Sequence, residues 1–110
     1  MKLSVGFSQI QNNVEVTKNL DAICSSLLLH QKSNTDIVLF PECALTGFTS
    51  LVRNTDFKEV EKAVEKIQSV VTKGKTIAVV PSTIKAGENY LNSGYIFYPN
   101  QQKMQIFKEG

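Results

Sequence analysis

The stretch with the clearest chemical potential is Asp36-Ile37-Val38-Leu39-Phe40-Pro41-Glu42-Cys43, in which four apolar residues lead into a proline and then a carboxylate. Isoleucine and valine are β-branched, so 37–40 reads as a strand buried on both faces. Pro41 has no amide hydrogen and cannot extend a central ladder, so the strand stops there. Glu42 is thereby held just past a strand's C-terminal end, where open parallel sheets bind ligands. A carboxylate partly enclosed beside apolar groups suits proton transfer near neutral pH, as general base or acid. The plainer reading of Glu42 is a loop cap or a partner for a surface lysine, and sheet position alone weighs the two about equally. A second candidate is Lys108, which follows Ile106-Phe107 at the end of the last expected strand. On composition alone it reads as a charged strand terminus.

The chain has two cysteines, Cys24 and Cys43, and one histidine, His30. A Cys24–Cys43 bridge is conceivable, but nothing points to secretion, so both are expected as free thiols. Cys24 falls inside an apolar helical stripe, the position of a core residue rather than a nucleophile. The spacing of Cys24, His30 and Cys43 matches no zinc pattern, and neither metal nor cofactor is expected.

These residues need elements to position them. Lys2 to Ile10 reads as a first strand, with Leu3, Val5 and Phe7 on one face and Ser4, Gly6 and Ser8 on the other. The small residues allow another element to pack closely. Gln11-Asn12-Asn13 is a turn, with Asn12 as N-cap and Glu15 completing a box. A first helix runs from there to about His30, its stripe formed by Val16, Leu20, Ile23, Cys24, Leu27 and Leu28. His30 falls in the last turn, at the negative end of the helix dipole. Strand, helix and the strand before Glu42 make a βαβ unit, parallel and right-handed.

Residues 43–55 lack a period and read as a long loop, a candidate wall for a binding site, with Gly47 as a hinge or a φ > 0 position and Phe48 and Leu51 packing beside it. A second helix opens with Asp56 as N-cap and Glu59 three residues on. It buries Val60, Ala63, Val64, Ile67, Val70 and Val71, and its charged residues make a solvated face. Gly74 ends it as a C′ residue. Thr76 to Val80 is a third buried strand stopped by Pro81, which would put Ser82 and Thr83 on the same rim as Glu42. Lys85 to Asn89 is a link. Leu91–Tyr98 and Lys103–Lys108 form a hairpin. The order βαβαβ-ββ means one α/β domain with a mixed sheet.

Composition bounds the rest. The 110 residues suffice for one small core, and 42% hydrophobic with 20% charged is ordinary for a soluble domain. A net charge of +2, spread without basic blocks, argues against nucleic acid or a membrane surface as partner. The N-terminus is too short and polar a run for a signal peptide or a span, so a cytoplasmic protein is expected. Alternative α/β sites fail on their residues. The turn after the first strand, Gln11-Asn12-Asn13, has no glycine for a dinucleotide, and there is neither a phosphate loop nor a Gly-x-Ser-x-Gly elbow. The residues Ser8-Gln9-Ile10 lack the acidic cluster of a response regulator.

Phe40-Pro41-Glu42 followed by Leu45-Thr46-Gly47-Phe48 resembles the glutamate motif of the nitrilase or carbon–nitrogen hydrolase superfamily. Gln9, Asn19-Leu20 and Asp36 sit where that family has similar residues. Tyr90-Leu91-Asn92-Ser93 resembles its Tyr-Asn-Ser strand with one residue inserted. Pro99 begins a turn like the family's Pro-x-Gly hairpin, with Gln101 in place of the glycine. Ile106-Phe107-Lys108 resembles its aromatic-x-Lys segment in shortened form. The order and spacing of these pieces along the whole chain carry more weight than any one motif.

The resemblance implies the N-terminal part of an α-β-β-α sandwich, a mixed sheet with two covering helices, whose site combines Glu, Lys and Cys. It implies Glu42 as general base and Lys108 as the cation that stabilises the oxyanion. A cysteine would attack an amide, carbamoyl or nitrile carbon of a small molecule and form a thioester. That cysteine follows the lysine motif in the family, where these 110 residues end. Cys43 is rejected as a substitute, because neighbours at a strand end point apart. The expectation is therefore a partial carbon–nitrogen hydrolase domain over 1–110, truncated and inactive alone. The alternative is a non-catalytic remnant or binding module that associates with a partner chain. A lone half sandwich exposes an apolar sheet face, so a homo-oligomer or association with the missing half is expected.

Overall fold

The computed structural model describes residues 2–10, 15–47, 57–100 and 103–107. Its elements are β1 (Val5–Phe7), α1 (Val16–Lys32), β2 (Ile37–Leu39), α2 (Phe57–Val71), β3 (Ile77–Ala86), β4 (Asn89–Phe97) and β5 (Lys103–Phe107). The strands form one sheet in the order β1-β2-β3-β4-β5. β1, β2 and β3 are parallel; β4 and β5 are antiparallel additions. Each helix connects neighbouring parallel strands, and both crossovers step in the same direction, so their common hand places both helices on one face.

Register identifies that face. The row Gly6, Val38, Ala78 and Phe97 lies under the helices, and Val38, Ala78 and Phe97 are fully buried. Helix α1 contributes Val16, Ile23 and Leu27 to the same core, and α2 contributes Val60, Ala63, Val64, Ile67, Val70 and Val71. All six of the expected α2 positions are buried, and Lys58, Glu61, Lys62, Glu65 and Lys66 are exposed. The small-residue face of β1 also behaves as expected. A Cβ on Gly6 would land on the His30 ring, and Ser8 and Ser26 hydroxyls meet at 2.7 Å.

Several expectations are corrected. The first strand is three residues long, not nine, and Leu3, Val5 and Phe7 are exposed. β2 is buried on one face only: Val38 is covered, while Ile37 and Leu39 are half-buried. In α1, Leu28 is exposed and Asn19 takes a buried place in the stripe. The N-cap of α1 is Glu15, without a side-chain cap, so Glu15 is not the third residue of a box; Asn12 lies outside the described residues, as does Asp56. His30 does more than face a helix dipole, since its Nδ1 lies 3.2 Å from Thr35 Oγ1. Gly74 is not a left-handed C′ residue. Helix α2 ends at Val71 and closes through Lys73 and Gly74 amides donating to Val70 and Val71 carbonyls. The space a side chain would need at Gly74 is filled by Gln31.

The largest correction concerns Pro81, which does not stop a strand: β3 runs through it to Ala86. In a strand, each residue's N–H and C=O point to one side, and successive residues alternate. The Ile77 amide donates to Asp36 and the Val79 carbonyl accepts from Phe40, so odd residues of β3 face β2. Pro81 is odd, and β2 has already ended at that level. Its missing N–H therefore costs no bond to β4, and its carbonyl accepts from Leu45 N–H at 3.3 Å. Beyond Pro81 the strand continues antiparallel to β4, from Ala78↔Phe97 to Ala86↔Asn89. The link is a tight hairpin turn at Gly87-Glu88, with Gly87 at φ 63° as a primed two-residue turn requires.

Candidate active site

Glu42 stands where the sequence places it, past the C-terminal end of β2, at the start of a turn over 42–46. It is exposed rather than partly enclosed. Cys43, next to it, is 3% exposed and has φ 56°, the left-handed region that non-glycine residues adopt at some cost. Its Sγ lies 4.0 Å from Thr83 Oγ1. The two neighbours therefore point apart, and the thiol is held against β3 rather than beside the carboxylate. Both cysteines are free. Burial raises the Cys24 thiol pKa, with Lys66 opposing and Asp21 adding to the shift, which disfavours the thiolate that a nucleophile needs.

The turn that carries Glu42 is pinned from three sides. Within it, Ala44 N–H donates to Pro41 at 3.1 Å and Gly47 N–H to Cys43 at 2.8 Å. Gly47 has φ 78°, as expected from its type. From the sheet, Thr83 N–H donates to Thr46 Oγ1 at 2.9 Å; this is the odd-residue side of β3 beyond the end of β2, the side the Pro81 carbonyl also uses. From the helix layer, Asn19 Nδ2 donates to the Leu45 carbonyl at 2.9 Å. Ala44, Leu45, Thr46 and Thr83 are fully buried, and Asn19 is 1% exposed. An exposed carboxylate thus stands on a turn whose other side chains are core. Ser82 and Thr83 lie at this rim, as the sequence suggests, but as buried supports of the turn.

Lys108 lies outside the described residues, as do Phe48, Leu51 and Gln101. Its neighbour Phe107 can be placed by register. Ser82 pairs with Ser93 and Ser93 with Phe107, while Leu39 pairs with Val79. Three residues on from Leu39 and Val79 are Glu42 and Ser82. Glu42 lies past the last β2–β3 pair, in the turn, so the ladder itself sets Phe107 level with Ser82 and Ser93, at the end of the sheet where that turn begins. A cavity of about 400 Å³ lined by Gln31, Asn34, Asp36, Lys73, Lys75 and Thr76 lies at the opposite, N-terminal end of β2 and β3 and has no part in this rim. Among the described residues no group of histidine, cysteine and acidic side chains could hold a metal ion, and no helix is long and apolar enough to cross a membrane.

Asn19 enters the sequence reading only through the family resemblance, and its part as a support of the turn is not foreseen there. Its signal is a polar residue at a stripe position, three after Val16 and four before Ile23, where an apolar residue would be expected. Thr46 is read in the sequence only as part of the Leu45-Thr46-Gly47-Phe48 motif and Thr83 only as a rim residue; neither reading foresees their hydrogen bond.

The family model for carbon-nitrogen hydrolase matches residues 4–109. Similar solved structures include the NitN amidase from Nesterenkonia sp. AN1, with TM-score 0.82 at 12% identity, covering 97% of this chain and 44% of that one. In a mutant of that amidase, with TM-score 0.83, 11% identity and the same coverage, acrylamide has undergone Michael addition at the active site cysteine. A glutamine-dependent NAD(+) synthetase from Cytophaga hutchinsonii matches with TM-score 0.69 at 14% identity, over 88% of this chain and 17% of that one. No curated protein sequence matches significantly. The chain spans under half the length of the amidases it resembles. At these identities the likeness concerns the fold, and it is the fold expected: one sheet and one helix layer of an α-β-β-α sandwich.

Proposed function

The chain belongs to the carbon–nitrogen hydrolase family, and on that premise we propose that its rim at Glu42 serves hydrolysis of a C–N bond in a small amide, carbamoyl compound or nitrile. Glu42 is the general base that takes a thiol proton and returns it to the leaving amine. Lys108 is the cation that stabilises the oxyanion of the tetrahedral intermediate. The nucleophile is a cysteine outside residues 1–110, since Cys24 packs against the core with its thiolate disfavoured by burial and Cys43 is buried against Thr83. The thiol adds to an amide or carbamoyl carbon and the amine or ammonia leaves as the thioester forms; on a nitrile it adds to give a thioimidate, which one water converts to the thioester with loss of ammonia; a further water hydrolyses the thioester and frees the thiol.

The observation that carries this reading is the Glu42 turn itself. An exposed carboxylate on an otherwise buried, hydrogen-bonded turn is a preorganised group, and a mere loop cap needs no such support. The register of Phe107, level with Ser82, supports a place for Lys108 at this end of the sheet. Alone, residues 1–110 lack the covalent chemistry and hydrolyse nothing, because removing the nucleophile of a group acting as a unit removes nearly all rate.

The test is the coding sequence beyond residue 110 in all frames. A cysteine in a strand–turn setting is expected there. The joined product should hydrolyse butyramide, and Glu42→Gln and Lys108→Ala should each lower kcat by about 100-fold or more. Turnover by residues 1–110 alone that is lost in Cys43→Ala would overturn the assignment. If no frame supplies a cysteine, the chain is a non-catalytic module that works by association.

A further inference from the structure

A β-turn over residues 41–44 is closed by the Ala44 N–H, which donates to the Pro41 carbonyl at 3.1 Å. Glu42 is its second residue and Cys43 its third. Cys43 has φ 56°, in the left-handed region, and Glu42 does not share it. A positive φ at the third residue alone is the type II pattern, whose third position is ordinarily glycine or asparagine. Glycine would take that φ without strain, whereas a cysteine is held there at a cost. The strained residue is the one next to the candidate base. Strain of this kind persists only where surrounding contacts over-determine the backbone.

Those contacts converge on one residue of β3. Cys43 is 3% exposed and Thr83 fully buried, and Cys43 Sγ lies 4.0 Å from Thr83 Oγ1. The Thr83 N–H donates to Thr46 Oγ1 at 2.9 Å, so Thr83 meets the turn at both Cys43 and Thr46. The Cys43 carbonyl in turn accepts from the Gly47 N–H at 2.8 Å. Side chain and carbonyl of Cys43 are thus both fixed, and its φ is the rotation that sets Glu42 against them. We propose that Cys43 and Thr83 are positioning residues for the Glu42 carboxylate. The anchored thiol holds the left-handed φ that a glycine would leave free, and Glu42 therefore leaves the turn in one direction. The inference rests on the reading of Glu42 as the base. It gives the buried thiol a part in the site that needs no thiolate. A serine at position 43 keeps a polar atom toward Thr83 and fills the same part; a glycine does not.

Two experiments test it. The first needs no turnover. Backbone amide relaxation by NMR should give the Cys43 amide an order parameter of about 0.85, falling below about 0.6 in Cys43→Gly and falling also in Thr83→Val, while α2 stays rigid in both. Thr83→Val keeps the volume and the amide bond to Thr46, so it stands even where Cys43→Gly perturbs folding. The second takes the joined product. There Cys43→Gly should lower kcat on butyramide about 10- to 100-fold with KM unchanged. Cys43→Ser should retain most of the rate, which a nucleophilic Cys43 would not allow. In a Glu42→Gln background Cys43→Gly should cost nothing more, because it acts through that carboxylate. A turn as rigid in Cys43→Gly and Thr83→Val as in wild type, or kcat losses of Cys43→Gly and Glu42→Gln that multiply, would overturn the positioning and leave the base reading standing. An unchanged kcat in Glu42→Gln would overturn the base reading and the positioning with it.

Discussion

Replacing Asn19 with alanine should loosen the one turn on which Glu42 depends. Asn19 Nδ2 gives the Leu45 carbonyl a hydrogen bond of 2.9 Å, and both residues are shut off from water. Truncation leaves that carbonyl buried without this donor, a loss of about 1–3 kcal/mol. The removed amide also leaves a void between α1 and the turn, which brings the expected cost to about 2–4 kcal/mol. For a domain of this size that is a Tm lower by about 10 °C. Urea denaturation of wild type and variant gives the free energy. Amide exchange gives its location: Ala44, Leu45 and Gly47 should lose protection more than the middle of α2. Asn19→Asp is the sharper control. It keeps the shape but turns an acceptor toward the carbonyl and buries a charge, so it should cost at least as much as alanine. If Asn19→Ala costs less than about 0.5 kcal/mol, or if Asn19→Asp is tolerated, the turn is held by something else and the positioning argument fails.

Two further outcomes follow from the geometry. Pro81→Ala should cost no more than about 1 kcal/mol, from the unfolded chain's added freedom, with the β3–β4 amides equally protected; loss of their protection would show that the proline lies in the ladder after all. Stability should fall at alkaline pH. Burial, aided by Glu61, raises the Tyr95 pKa above 10.0, and burial raises that of Cys24 above 9.0. The folded chain then holds both protons more tightly than the unfolded one, so the stabilisation is complete below those values and is lost as pH rises through the folded pKa values. Tyr95→Phe should flatten the upper part of this loss in denaturation midpoints measured against pH, and an unchanged curve would contradict the assigned burial.

The sequence is informative where one physical factor dominates. Helix α2 was legible residue by residue, because a 3.6-residue apolar stripe against a charged face has one solution. The strand before Glu42 was legible as a parallel strand, and residue type alone narrowed Gly47 to a hinge or a positive-φ position, of which the structure has the second. Pro81 was misread because the rule that proline ends a central strand holds only where its N–H would meet a neighbour. Which side a residue's amide faces depends on register, and register between distant strands is not written locally. The same limit explains β1 and β2. Their apolar residues were read as buried because the pattern shows that a face is apolar, and not whether anything covers it.

That distinction also orders the candidate site. Glu42 announced itself through Pro41 and the strand before it, a local signal. What makes Glu42 more than an acid on a loop is not local. It depends on a buried asparagine twenty-three residues upstream in number, a threonine four residues on, and a strand amide at Thr83 reached only because Pro81 lets β3 continue past the end of β2. Had the strand stopped at Pro81, the side of the turn that Thr46 now closes would face water, and Cys43 would lose the wall that keeps its thiol from the carboxylate. The proline that was misread as a boundary is thus a condition of the site: β3 outlasts β2, and the Glu42 turn is built on the difference.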